Sequence, residues 1–143
     1  MTKTSPKIIE ENYRIIGIRT KMNIAKFLWQ INSFFGINFS QIKDIKIINK
    51  KINKTILFPV FETEKANIIY KIAVNNIENT TLIRKYKIDD FFLFVVGYEN
   101  ENEINLIIET IIKQLLQFNQ IEEVHEIEKT EINLNDIRLI FRK

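Results

Sequence analysis

Apolar residues along this chain come in short bursts, and their spacing changes from one burst to the next. From Phe91 to Val96 every residue is apolar, so no position is left to face water. A half-buried strand alternates, whereas an unbroken run of β-formers predicts a strand covered on both faces. The segment 87–97, KIDDFFLFVVG, is therefore read as a central strand. Residues 13–19 (YRIIGIR) also have strand character, with Gly17 marking a bulge or the close approach of another backbone. From about Lys21 to Phe35 the spacing becomes helical, and Ile24, Phe27, Leu28, Ile31, Phe34 and Phe35 share one arc. Thr20 offers this helix an N-cap and Gly36 a stop. Lys26, Gln30 and Ser33 form its polar stripe, while Met22, Ala25 and Trp29 fall beside that stripe, outside the main arc. The helix is thus apolar around more of its circumference than one sheet requires.

Residues 38–44 read as a connection, 45–48 as a short strand and 49–54 as a solvated, lysine-rich turn. Residues 55–62 (TILFPVFE) form a further strand; Pro59 removes a ladder donor and so points to an edge strand or a bulge. A turn at 64–66 leads into a hairpin partner at 67–74, and 82–87 extend into the central strand. A second helix follows Asn100, whose spacing to Glu103 is that of a capping box, and carries Ile104, Ile107, Ile108, Ile111, Ile112, Leu115 and Phe118 on one side. Residues 124–128 and 137–141 are read as late strands. The order is strand, helix, antiparallel strands, helix, strands. It predicts an α+β two-layer sandwich, a mainly antiparallel sheet with two helices on one face, of ferredoxin-like or ACT-like type. Residues 1–12 are expected to be a polar lead-in to a single domain over 13–143.

Composition narrows the chemistry. The chain has 143 residues, 45% hydrophobic and 27% charged, as expected of one globular domain. Its net charge of +3 permits an anionic partner without demanding one. Lysine, isoleucine and asparagine are all codons of AT-rich coding sequence, which weakens any argument from lysine alone. The absence of cysteine excludes disulfides, thiolate nucleophiles and Cys-based metal sites. The start of the chain lacks an apolar signal-peptide core, and no apolar run approaches the ~20 residues of a membrane helix. A cytoplasmic location and no membrane partner are the expectation.

The three serines, Ser5, Ser33 and Ser40, lie in no Gly-x-Ser-x-Gly elbow. The single histidine, His125, is expected as a partly exposed sheet residue. Gly17, Gly36 and Gly97 are too far apart for a phosphate-cradling loop. Asp89 and Asp90 would point to opposite faces of a regular strand and so cannot line one site; the simpler role is to solubilise the strand's start. No catalytic set, metal site or cofactor is expected, and an enzyme built on carboxylates is the least favoured reading. Two basic segments offer more: Lys50, Lys51 and Lys54, and then Arg84, Lys85 and Lys87 around Tyr86. Such interleaving suits phosphate neutralisation with base stacking, against the plainer reading of a solvated surface.

Residues 83–93 also carry a resemblance. Ile83, Asp90, Phe92 and Leu93 match the naming motif of the IPExxxVDY family and its continuation, with Phe91 for the motif's Tyr. Arg84 and Lys85 replace its Pro–Glu pair, and Asp89 its Val. The opening YRIIGIRT and the closing VHEIEK and IRLIF are similar to the family's two ends. The chain thus resembles a divergent member of a family of small proteins known mainly from Bacteroidetes. The resemblance implies a cytoplasmic bacterial protein and supplies no catalytic residue or cofactor. The expectation is a non-catalytic protein that acts by protein–protein association, as a homodimer or with another partner, through Met22, Ala25 and Trp29, although each of these taken singly is more readily a core residue than a contact. The alternative is a nucleic-acid-binding module using the two basic segments.

Overall fold

The structure, a computed structural model, describes residues 12–142. The expected lead-in over 1–12 lies outside the described residues, save for Asn12. Strand β1 (Tyr13–Thr20) is followed by helix α1 (Ile24–Phe35) and then by β2 (Ser40–Asn49), β3 (Lys54–Lys65) and β4 (Ile68–Val74). A two-residue ribbon, β5 (Asn76–Ile77) with β6 (Thr80–Thr81), and a 3-10 turn at Arg84–Tyr86 lead to β7 (Phe91–Val96). Helix α2 (Glu101–Leu115), strand β8 (Ile121–Ile127) and helix α3 (Leu134–Phe141) complete the chain.

The protein is α+β, built on a six-stranded sheet in the order β2-β3-β4-β7-β1-β8, with every ladder antiparallel. β7 is central, between β4 and β1, as the apolar run requires. Its alternate residues serve two separate cores. Phe91, Leu93 and Val95 pack with Phe27 and Ile31 of α1 and with Ile104, Ile108, Ile111 and Leu115 of α2. Phe92, Phe94 and Val96 pack on the other side with Ile137 and Ile140 of α3. Since β1 and β4 are both antiparallel to the β7 between them, β1–α1–β4 is a split parallel pair. The set β4-β7-β1-β8 with α1 and α2 on one face is thus the ferredoxin-like order, and β2–β3 widens the sheet beyond it.

Local chemistry explains where elements begin and end. Asn23, rather than Thr20, caps α1 by accepting from the Lys26 amide at 2.9 Å; the Thr20 hydroxyl instead accepts from Met22 N and fixes the lead-in. Gly36 stops α1 at φ 63°, and Asn100 caps α2 by accepting from Glu103 N at 3.1 Å, both as expected. Ala66 and Asn67 both have positive φ, which makes the β3–β4 link a two-residue primed turn. Pro59 lies in an internal strand, but β4 pairs with β3 only from Val60 onward, so at Pro59 the ladder runs on the β2 side alone. The register shift nearby falls in β2, between Gln41 and Lys43.

Three expectations are corrected. Residues 137–141 are helical: Ile137 and Ile140, one turn apart, both reach the second core, which a strand of that pattern would not allow. Lys43 Nζ donates to the carbonyls of Leu139 and Arg142, satisfying the end of this short helix with a cation. Residues 82–87 turn rather than extend the central strand. β2 begins at Ser40, well before Ile45, because pairing with β3 makes a strand of residues whose own pattern is polar.

Width decides what remains exposed. Six strands span roughly 24 Å at ~4.8 Å each, whereas two helices of ~10 Å cover about 20 Å at best. Ile48 and Leu57 point to the helix side of the β2–β3 edge and are 71% and 48% exposed. Both faces of β7, by contrast, are sealed. Phe92→Ala is expected to cost about 3–5 kcal/mol in urea unfolding, whereas Leu106→Ala on the outer side of α2 should stay within about 0.5 kcal/mol of the parent.

Candidate functional site

Two places in the fold concentrate polar side chains, and the first is a joint beneath β7. Asp89 is fully buried, and the ring of His125 on β8 reaches it, with Nε2 at 3.0 and 2.9 Å from the two carboxylate oxygens. An ionised carboxylate only accepts, so the Nε2–H donates. Burial pushes the Asp89 carboxyl up, and His125 partly opposes this. Gly17 lies directly below: a Cβ there would sit 2.6 Å from Asp89 Oδ2 and 2.8 Å from His125 Nε2. The close approach expected at Gly17 is real, but it is made by two side chains and not by a backbone.

Asp90 turns the other way and accepts from Thr20 N at 3.0 Å, while its own N–H donates to Ile18 O. The neighbouring carboxylates thus serve different partners. Neither solubilises the strand's start, as the sequence suggested for both. Asn75, fully buried at the end of β4, holds the loop that delivers them. Its side-chain amide donates to Tyr86 O and Asp89 O, each at 2.9 Å, and accepts from Ile83 N at 2.7 Å. Asn75 escaped the sequence reading because it stands in a stretch read as a polar loop, and the Asp89–His125 pair because its members are distant in the chain. The one legible hint was Gly17, a glycine inside a strand.

The motif residues occupy this same joint. Ile83, Phe91, Phe92 and Leu93 are all buried, and Asp90 ties β7 to the end of β1. Their roles are structural. Among the described residues no three His, Asp or Glu side chains converge with metal-ligand spacing. No helix there is long and apolar enough to cross a membrane.

The second place is a cleft of about 950 Å³ between the β2–β3 turn, the β5–β6 ribbon, the 3-10 turn and the start of α3. It brings together the two basic segments that the sequence keeps more than thirty residues apart. Lys50 and Lys51 come from one wall, and Arg84, Lys85 and Lys87 from another. Lys54 is not part of it; its Nζ pairs with Glu78 at 2.8 Å. Tyr86, the aromatic between the basic residues, donates its hydroxyl to Glu131 at 2.6 Å, and its pKa is pushed up to about 12, first by burial and then by that carboxylate. Glu131 and Asp136 lie on the α3 wall, where burial raises the Asp136 carboxyl.

The remaining predicted contact set divides. Met22 is only 5% exposed and belongs to the first core, the alternative the sequence left open for it, so it drops out of the interface set. It lies ahead of the helix, and the Thr20 hydroxyl holds its amide so that the side chain turns inward. Ala25 and Trp29 are exposed, Trp29 to 68%. An apolar groove of about 490 Å³ lies between α1 and α2 over the β3–β4 turn, lined by Phe35, Ile68, Tyr70 and Leu106 among others. No protein-family model matches the chain, and no curated protein is similar to it.

Two outcomes test the joint. Gly17→Ala should destabilise the fold by about 1–3 kcal/mol, because the added methyl overpacks the Asp89–His125 contact. The second is a pH effect. The Asp89 carboxyl titrates at its ordinary 3.8 in the unfolded chain and higher in the folded one. Between those values the folded state holds the extra proton, so this group's contribution to stability falls as pH rises. Asp89→Asn has no proton to release. The stability difference, variant minus parent, should therefore grow with pH across that window; a flat difference in urea titrations would show that Asp89 titrates normally.

Proposed function

We propose that this protein is a non-catalytic cytoplasmic module that works by protein association, in the first instance with a second copy of itself. The observation that carries this reading is the exposure of Trp29. It stands 68% exposed on the ridge of α1 directly opposite the buried Phe27 and Ile31, with the exposed Ala25 and Ser33 one turn to either side. A tryptophan is ordinarily well buried, and large aromatics standing free of the surface are the usual anchors of interfaces.

The bare strip at Ile48 and Leu57 supplies a surface for such an anchor. It lies on the same side of the sheet as α1, and the two helices leave it uncovered. In a two-fold dimer the Trp29 ridge of each copy packs on the strip of the other, so both exposed features are covered by one symmetric contact. We further infer that the chain is a divergent member of the IPExxxVDY family. Supporting this, its motif residues have concrete structural duties at the Asp89–Asp90 joint, which a divergent sequence has reason to keep.

Trp29 is the only tryptophan, so its fluorescence reports directly on the contact. With rising protein concentration the emission should shift to the blue and become resistant to iodide quenching, while light scattering moves from monomer to dimer mass. Trp29→Ala should change the stability of the fold by no more than about 0.5 kcal/mol, yet weaken the dimer by about 2 kcal/mol or more. A protein that stays monomeric at all concentrations overturns self-association.

A further inference from the structure

We infer that the cleft between the β2–β3 turn and the 3-10 turn binds a single-stranded polynucleotide through its phosphates. Clustering of cations without a carboxylate partner distinguishes this cleft from the rest of the surface. Elsewhere Arg14, Arg19, Lys21, Lys54 and Lys71 each have a carboxylate partner within ion-pair distance, and Lys26, Lys46 and Lys113, which have none among the described residues, stand on α1, β2 and α2 outside the cleft lining. In the cleft Lys50, Lys51, Arg84 and Lys87 have none among the described residues, and all four are exposed. Lys85 has no carboxylate partner either, but its Nζ is engaged, donating to the main-chain oxygen of Glu131. Four free cations facing one concave space, on a chain whose net charge is only +3, concentrate positive potential where low-dielectric walls focus it.

Codon bias can supply lysines, but it does not explain why the fold sets four cations without a carboxylate partner around one cleft. They arrive from two turns that the sheet brings side by side. Asn49 of β2 donates its side-chain amide to Thr80 of the ribbon at 2.8 Å, and Lys54 pins the same ribbon through Glu78. The walls are thus held at a fixed separation.

The remaining lining selects among polyanions. Glu131 and Asp136 repel any anionic group placed against them, which disfavours an acidic side chain that would have to sit there. A polynucleotide keeps its charge on the backbone and presents base amino groups, for which carboxylates are acceptors. Asn79 and Asn133 add amides to the lining, and the half-buried Leu82 gives an apolar wall against which a base face can lie. A duplex buries its base edges, so a single strand is the form that can use this lining.

The test is anisotropy of a labelled single-stranded RNA of ~20 nucleotides, longer than the ~4–16 nucleotides of a typical single-domain site. Neutralising four phosphates predicts a slope of log K against log salt of about −3. Lys50→Glu with Lys51→Glu, and Arg84→Glu with Lys87→Glu, should each weaken binding at least ~10-fold and flatten the slope by about half. The pair Lys26→Glu with Lys113→Glu, on the exposed sides of α1 and α2, makes the same change in net charge and should leave affinity within about twofold. All these positions are exposed, and circular dichroism confirms that each variant folds. An equal loss in the control pair reduces the effect to net charge and overturns the site. Competition by polyglutamate as strong as by RNA reassigns the cleft to acidic protein, and absence of RNA binding at low salt removes the inference.

Discussion

The burial of β7 on both faces is the constraint from which the rest of the architecture follows. Six apolar side chains, three to each side, require two cores, and a single layer of helices provides only one. The first core is closed by α1 and α2, which the ferredoxin-like crossovers place on one face. The second is closed by α3, a helix of only eight residues, whose docking depends on Ile137, Ile140 and the lysine that meets its final carbonyls. Without α3, Phe92, Phe94 and Val96 would face water.

A strand this hydrophobic also needs its polar approach managed, and that is the work of the joint beneath it. Asn75 spends both ends of its side-chain amide on the loop that precedes β7, and Asp90 and Asp89 then fasten the strand to β1 and β8 respectively. The contacts of Asn75 stay within one loop, whereas those of Asp90 and Asp89 span long stretches of sequence. A buried carboxylate is costly unless met by a donor, so the Asp89–His125 pair is a condition of the packing as well as a product of it. Gly17 is small because the pair occupies the space above it.

The two surfaces assigned to function arise from the same widening of the sheet. Adding β2 and β3 to a four-strand core leaves an apolar strip beyond the helices, and it also carries the β2–β3 turn across to the 3-10 turn, where the basic cleft forms. The two proposed surfaces adjoin at Ile48, which belongs to the strip and also lines the cleft.

By itself the sequence determined the central strand, the α+β class, both long helices and most caps, because each rests on short-range rules: apolar spacing, a capping asparagine, a glycine stop. The place of Trp29 outside the arc that a sheet can cover was legible too, but whether it was core or surface was not, and the structure leaves it 68% exposed. Tertiary structure alone decided what depends on partners far away in the chain. Residues 137–141 have a pattern too short to separate helix from strand, and only the vacant second face of β7 settles it. Met22 turned inward although its helical position pointed outward, since α1 starts after it. Asp89 looked solvated until His125 arrived from β8. The two basic segments looked like separate solvated turns until the sheet set them on facing walls. Local pattern fixes which way a backbone runs, and distance in sequence hides which charges will meet.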